Sequence, residues 1–253
     1  MQIEVTFTPA ELDWLRQQPL ADSACVVLDV LRATSTFVTA LAKGAAAVRP
    51  VGSIAEALAT RAAAPDILLA GERDGVRITA AQTGGVDFDL GNSPREYTAA
   101  RVAGRRIVST TTNGTRALAA CRGARHLLAA AFLNLDATAR QVARLNPPRV
   151  IVVCSGTGDH AAFEDCLAAG ALVHALQKLA PRGEFTDAAR FAADLFTANR
   201  ADPEAALQKS TNARRLLAQP ELADDVAYCL AENLHPHVVA ADAEGWLRRV
   251  GAA

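Results

Sequence analysis

Apolar residues along this chain cluster into short β-branched runs, and longer Ala/Leu/Arg stretches with helical spacing lie between them. The runs Val26–Val30, Val48–Val51, Ile67–Ala70, Arg106–Thr110, Leu127–Ala131 and Arg149–Cys154 read as strands, the last as a central one. Helical spacing marks Ser35–Lys43, closed by Gly44, then Arg116–Ala120, Asp136–Leu145, Phe163–Gln177 and Thr186–Leu217. Ser53 ahead of Glu56 is the pattern that caps a further helix. Strands alternating with helices predict an α/β fold, with a largely parallel sheet and flanking helices. Ligands of such sheets sit at the carboxyl ends of the strands. Polar loops follow the apolar runs here, so one sheet edge can gather them. The chain reads as one unit, 1–253. Asn146-Pro147-Pro148 is its weakest point: a boundary between two packed α/β lobes, 1–146 and 147–253, or a tight helix-to-strand connection.

Composition narrows the function classes. Hydrophobic residues make up 51% and charged residues 21%, the balance of a globular protein with a real core. A net charge of -1 advertises neither nucleic-acid nor anionic-membrane binding. No apolar run reaches the roughly 18–20 residues of a membrane span. Met1-Gln2-Ile3-Glu4-Val5 lacks signal-peptide character, so a cytoplasmic location is expected. Cys25, Cys121, Cys154, Cys166 and Cys229 are widely spaced without a C-x-x-C, which argues against disulfides and structural zinc. His235-Pro236-His237 lacks nearby Cys or acid partners and is expected as a solvated loop.

Residues 25–36 carry the densest chemical signal. Val26-Val27-Leu28 delivers a carboxylate, Asp29, to a strand's end, and Arg32, Thr34, Ser35 and Thr36 follow ahead of a helix. Strand, loop and helix in that order aim backbone N–H groups and the helix dipole at an anion. Asp29 repels such an anion unless a divalent cation lies between them, which makes metal-assisted phosphate chemistry one reading. The other is a helix that Thr and Ser merely cap. Thr110-Thr111-Thr112-Asn113-Gly114-Thr115 suits either a phosphate cradle or an Asn-Gly turn. Gly91-Asn92-Ser93-Pro94 reads as a turn and helix start. Glu72, and Glu164-Asp165 behind the loop Ser155-Gly156-Thr157-Gly158, either complement helix dipoles or join Asp29 in an oxygen-rich site suited to Mg²⁺.

Several familiar patterns are absent. Cys154 lacks the Arg that a thiol-phosphatase cradle requires, and Asp29-Val30-Leu31 lacks the second acid of an Asp-x-Asp nucleophile. Neither a Walker loop nor a G-x-G-x-x-G is present.

Taken in order, Asp29-Val-Leu-Arg-Ala-Thr-Ser-Thr36, Gly71-Glu-Arg73, Asp89-Leu-Gly-Asn-Ser-Pro94, Thr111-Thr-Asn-Gly-Thr115, Phe132-Leu-Asn134, Cys154-Ser-Gly-Thr157, Phe163-Glu-Asp165 and Ala168-Ala-Gly170 resemble the 2-phosphosulfolactate phosphatase family. A looser likeness runs from Asp224 to Val239. The resemblance implies Mg²⁺-dependent hydrolysis of (2R)-2-phospho-3-sulfolactate to 3-sulfolactate and phosphate, a step of coenzyme M biosynthesis in methanogens. A homodimer is expected from it and from the Ala-rich helices. Two departures bear on substrate identity: a longer Asp74–Val86 stretch, and Ser210-Thr-Asn-Ala-Arg214 where a Ser-His-Gly-like element is expected.

The expected site follows. Asp29, Glu72 and either Glu164 or Asp165 hold Mg²⁺, with Asp29 as ligand or covalent nucleophile. Arg32 serves catalysis by binding phosphate. Ser35, Thr36, Asn92, Ser93, Thr112, Asn113, Gly114, Thr115, Ser155 and Gly156 bind a small phosphate monoester. Two other classes remain: a non-catalytic anion-binding protein, which needs no three acids, and a nucleotide-dependent transferase, which the 5% aromatic content disfavours.

Overall fold

The strongest apolar runs become strands with a neighbour on each side. In the computed structural model, which describes residues 1–251, eleven strands among those residues join in one sheet. They are β1 (Gln2–Thr6), β2 (Ser23–Leu28), β3 (Ala47–Pro50), β4 (Leu68–Arg73), β5 (Val76–Arg77), β6 (Arg106–Thr110), β7 (His126–Ala130), β8 (Arg149–Cys154), β9 (Glu184–Phe185), β10 (Val238–Ala241) and β11 (Leu247–Val250). Their spatial order is β5-β4-β6-β3-β11-β10-β7-β2-β8-β1-β9. β2 and β8 pair in parallel from Ser23↔Arg149 to Leu28↔Cys154. Both are apolar at nearly every position because helices cover both faces of the sheet. Alternate side chains enter separate cores: Val26, Leu28, Val150 and Val152 on one side, Cys25, Val27, Ile151 and Val153 on the other.

The sheet is mostly parallel, as the alternation predicts, but it has two parallel halves. β9, β1, β8, β2 and β7 form one; β3, β6 and β4 form the other. The β10–β11 hairpin lies between them, antiparallel to β7 on one side and to β3 on the other. The two halves therefore run in opposite senses. The polar loops thus do not share one uniformly parallel edge, yet loops of the two halves meet: a Cβ on Gly114, after β6, would lie 2.7 Å from Asp29 Oδ2, after β2.

Arg106–Thr110 and Arg149–Cys154 form strands with the expected limits. The helical stretch expected over 186–217 breaks into Asp187–Asn199, Pro203–Leu207 and Thr211–Leu217, because Thr186, Asp202 and Ser210 each cap a new start. β8 lies between β1 and β2, so chain from both sides of Asn146 shares one sheet and one core. His235-Pro236-His237 is not a solvated loop. His235 and His237 are buried ahead of β10, and the Tyr228 hydroxyl lies 2.9 Å from His235 Nε2. Among the described residues no helix is long and apolar enough to cross a membrane.

Candidate functional site

Asp29 leaves the end of β2 and turns back on its own loop. Its Oδ1 accepts from Ala33 N–H at 3.0 Å, and its carbonyl accepts from Thr34 N–H, so Asp29 itself caps the helix Ala33–Ala42. Two of the helix's leading N–H groups are thus taken by Asp29. Two of the hydroxyls expected to bind substrate are also engaged internally. Ser35 Oγ donates to Val30 O, and Thr36 Oγ1 donates to Asn92 O, both at 2.8 Å. They pin the loop.

Arg32 departs furthest from its expected role. Its Nη1 donates to Asp225 Oδ2 and its Nη2 to the Gly75 carbonyl, each at 2.7 Å, with both charged side chains buried. Ser93 Oγ donates to the other Asp225 oxygen at 2.7 Å. Arg32 is thus half of a buried ion pair, and Ser93 supports it. Asp225 went unnoticed in the sequence because nothing local distinguishes it from a helix-surface acid 193 residues away.

From the other half of the sheet, Glu72 on β4 meets the loop after β6. Glu72 Oε1 accepts from Thr112 N–H and Oγ1, and Oε2 accepts from Gly75 N–H at 2.7 Å. Thr115 Oγ1 donates back to Thr111 O. Gly114 opens the next helix so close to Asp29 that an added Cβ would lie 2.7 Å from Asp29 Oδ2. That approach brings the two halves together, and only glycine permits it.

Glu164 and Asp165 occupy the buried first turn of the helix Phe163–Leu179. Asp165 accepts from Val30 N–H at 2.8 Å and Gly156 N–H at 3.1 Å, tying the loop after β8 to the loop after β2. Glu164 accepts from Ser210 Oγ and Asn212 Nδ2, both at 2.6 Å.

A cavity of about 100 Å³ lies among these loops. Asp29, Arg32, Glu72, Asn92, Thr112 and Asn113 line it, and the sequence had marked all six. Ser35, Thr36, Ser93, Gly114, Thr115, Ser155, Gly156, Glu164 and Asp165 stand behind the wall. Asn212 and Arg215, from the short helix Thr211–Leu217, also line it, as do Asp74 and Gly75. Arg215 was not marked, and Asn212 fell within Ser210–Arg214, which the sequence set apart only as a departure from the family pattern. Three buried oxygens of expected site residues, Asn92 Oδ1, Asn113 Oδ1 and Ser155 Oγ, have no hydrogen-bond partner among the described residues. Orphaned buried acceptors are costly, and an incoming cation or donor would satisfy them.

The electrostatics point the same way. Burial, reinforced by Glu72 and Glu164, pushes the Asp29 carboxyl up to about 7. Burial with Glu164 and Asp29 nearby raises Asp165 well above the carboxylate range. A crowd of mutually repelling carboxylates is the environment that a divalent cation relieves. The fit is nevertheless narrower than the sequence implied. Among the described residues no three acidic, His or Cys side chains converge as a ready metal cage. Glu164 and Asp165 each accept two hydrogen bonds and do not line the cavity. Asp29 and Glu72 face the cavity, and two carboxylates with several waters and substrate oxygens suffice for an ion such as Mg²⁺. Cys154 has no nucleophilic character: its hydrogen bond with Cys166, and burial, push the thiol well above its ordinary range.

A sequence profile described as 2-phosphosulpholactate phosphatase matches residues 11–244. A "probable 2-phosphosulfolactate phosphatase" of Pseudothermotoga lettingae is 39% identical over 234 residues, covering 92% of each chain. Proteins of the same name from a Synechococcus species and from Gloeobacter violaceus are 42% and 41% identical, over 86% and 91% of both chains. With the profile spanning most of its length and these relatives covering nearly all of it, the chain belongs to the 2-phosphosulfolactate phosphatase family.

Proposed function

We propose that this protein hydrolyses (2R)-2-phospho-3-sulfolactate to 3-sulfolactate and phosphate, with Mg²⁺ held by Asp29 and Glu72. The observation that carries the reading is the meeting, in the lining of one small polar cavity, of these two carboxylates with Asn92, Thr112 and Asn113. A bound Mg²⁺ would supply Lewis-acid polarisation of the phosphoryl oxygens and neutralise developing charge. The chain's own groups prepare that chemistry. Ala33 N–H fixes one oxygen of Asp29, so the carboxylate is oriented before substrate arrives. Thr112 and Gly75 do the same for Glu72. Arg32, held by Asp225, presents its remaining edge to the cavity and fixes the loop that carries Asp29. Glu164 and Asp165 position the loops after β2 and β8 rather than binding metal.

A non-catalytic anion binder fits less well, since the cavity wall carries two carboxylates that repel an anion without a cation between them. Phosphate release from a panel of phospho-acids, measured before EDTA, after EDTA and after Mg²⁺ is restored, tests the proposal. Turnover should vanish with chelation and return with Mg²⁺. Undiminished turnover by metal-free protein would overturn it.

A further inference from the structure

Five charged side chains line the cavity: Asp29, Arg32, Glu72, Asp74 and Arg215. Two cations among three anions are a poor host for a substrate that is itself an anion, so the state of each cation decides what can bind. Arg32 is already paired, its charge offset by buried Asp225. Arg215 is not. Among the described residues its guanidinium forms no ion pair and no hydrogen bond; only its backbone carbonyl is engaged, by Gln219. Arg215 Nη2 lies 3.6 Å, and Arg32 Nη2 3.9 Å, from the point where a Cβ on Gly75 would stand. The two guanidiniums thus flank one glycine at the wall, one neutralised and one with its full charge available.

We propose that Arg215 is the specificity-determining residue of this site and receives the sulfonate of the substrate. The inference rests on the phosphatase reading above and extends it to the part of the substrate that does not react. With the phosphoryl group directed at Asp29 and Glu72, the remaining anions are a carboxylate and a sulfonate. The sulfonate, on the terminal carbon, lies one bond further from phosphorus than the carboxylate carbon does. Arg215 is exposed at the rim, whereas Arg32 is buried beside Asp29's loop. The farther anion therefore meets the rim cation. Chemistry agrees: a guanidinium is weakly hydrated and presents a fork of donors, which suits the weakly hydrated, multi-oxygen sulfonate. Its exposure also means that replacing it leaves the core untouched.

Three substrates separate the anions: 2-phospho-3-sulfolactate, 2-phospholactate without the sulfonate, and 2-phosphooxyethanesulfonate without the carboxylate. Wild type, Arg215→Gln and Arg215→Lys are assayed with Mg²⁺. Arg215→Gln should raise KM at least tenfold on the two sulfonates and less than threefold on 2-phospholactate, with kcat nearly constant. Arg215→Lys should recover part of the loss. Equal losses on all three substrates, or losses that follow the carboxylate, would overturn the assignment. If wild type releases phosphate from none of them, the phosphatase reading fails on its own. Calorimetry of 3-sulfolactate and lactate binding to wild type and Arg215→Gln then decides the sulfonate contact independently: sulfolactate-selective binding lost in the variant supports it, and unchanged binding overturns it.

Discussion

At the scale of single residues, the site works by committing side chains to one another before substrate arrives. Arg32 and Asp225 illustrate the consequence. Removing one partner of a buried ion pair strands the other charge, at a cost of about 3–5 kcal/mol. Asp225→Ala should therefore lower stability by that order in urea denaturation, and activity should fall with it. Arg32→Lys keeps the charge, but one ammonium cannot reproduce the planar fork that reaches both Asp225 and the Gly75 carbonyl. It too should lose stability, whereas an Arg32 devoted only to substrate would lose kcat/KM at an unchanged melting temperature. Asp29→Asn is the contrasting case: the amide oxygen still caps through Ala33 N–H, so the variant should fold yet lose turnover, checked by circular dichroism beside phosphate release. Asp29, Glu72 and Asn113 could be marked as candidates because each lies at or just after the end of an apolar strand, whereas Asn92, in a turn, was marked by the family resemblance alone. Arg215 and Asn212, which line the cavity, and Asp225, which holds Arg32, were not marked, because they act from helices far along the chain whose spacing does not show what they reach across space. The hydroxyls of Ser35 and Thr36 were misread for the opposite reason: capping and loop-pinning use the same residue types as phosphate binding.

At the scale of elements, what holds the acids in place is the packing of the helix Phe163–Leu179 against Asp187–Asn199. Gly170 makes that contact. A Cβ there would lie 2.0 Å from the Ala192 carbonyl, so the helices must separate to admit it. Gly170→Ala should destabilise the protein by about 1–3 kcal/mol or more, the usual cost of overpacking. Because the same helix carries Asp165, whose carboxylate bridges Val30 and Gly156, activity should decline more steeply than the melting temperature alone accounts for. Urea titration beside phosphate-release kinetics at a temperature where the variant is folded separates the two effects. Central strands and long helices were readable from periodicity, since β8 and β2 bury both faces and look apolar throughout. The β10–β11 hairpin was invisible, because its strands are four residues each and acquire meaning only by pairing with β7 and β3. With the hairpin missed, the opposed senses of the two half-sheets were missed as well.

At the scale of the molecule, the site joins the two halves and loads them with like charge, so its ligands should govern stability. In metal-free protein Asp29 titrates at about 7, above its ordinary value of 3.8. The native state then holds this proton more tightly than the unfolded chain does. The stability gained from that proton is complete below about pH 4 and disappears as pH rises through about 7. Asp29→Asn has no such proton, so the stability of wild type relative to the variant should decline from pH 4 to pH 7 in EDTA and level off above. A flat difference across that window would mean that Asp29 is not titrating in the folded protein. Mg²⁺ should reverse the decline, since a ligand that binds only the folded state at 100 times its Kd contributes about 2.7 kcal/mol. For a chain of this size that is roughly 5–10 °C in melting temperature. Binding near pH 7 should also release protons, because a metal ligand must be ionised. Calorimetric titration of Mg²⁺ in two buffers of different ionisation enthalpy measures that release directly. Wild type should give a buffer-dependent heat, while Asp29→Asn should give little binding and no thermal shift. A full Mg²⁺ shift in Asp29→Asn would place the ion elsewhere and remove Asp29 from its coordination.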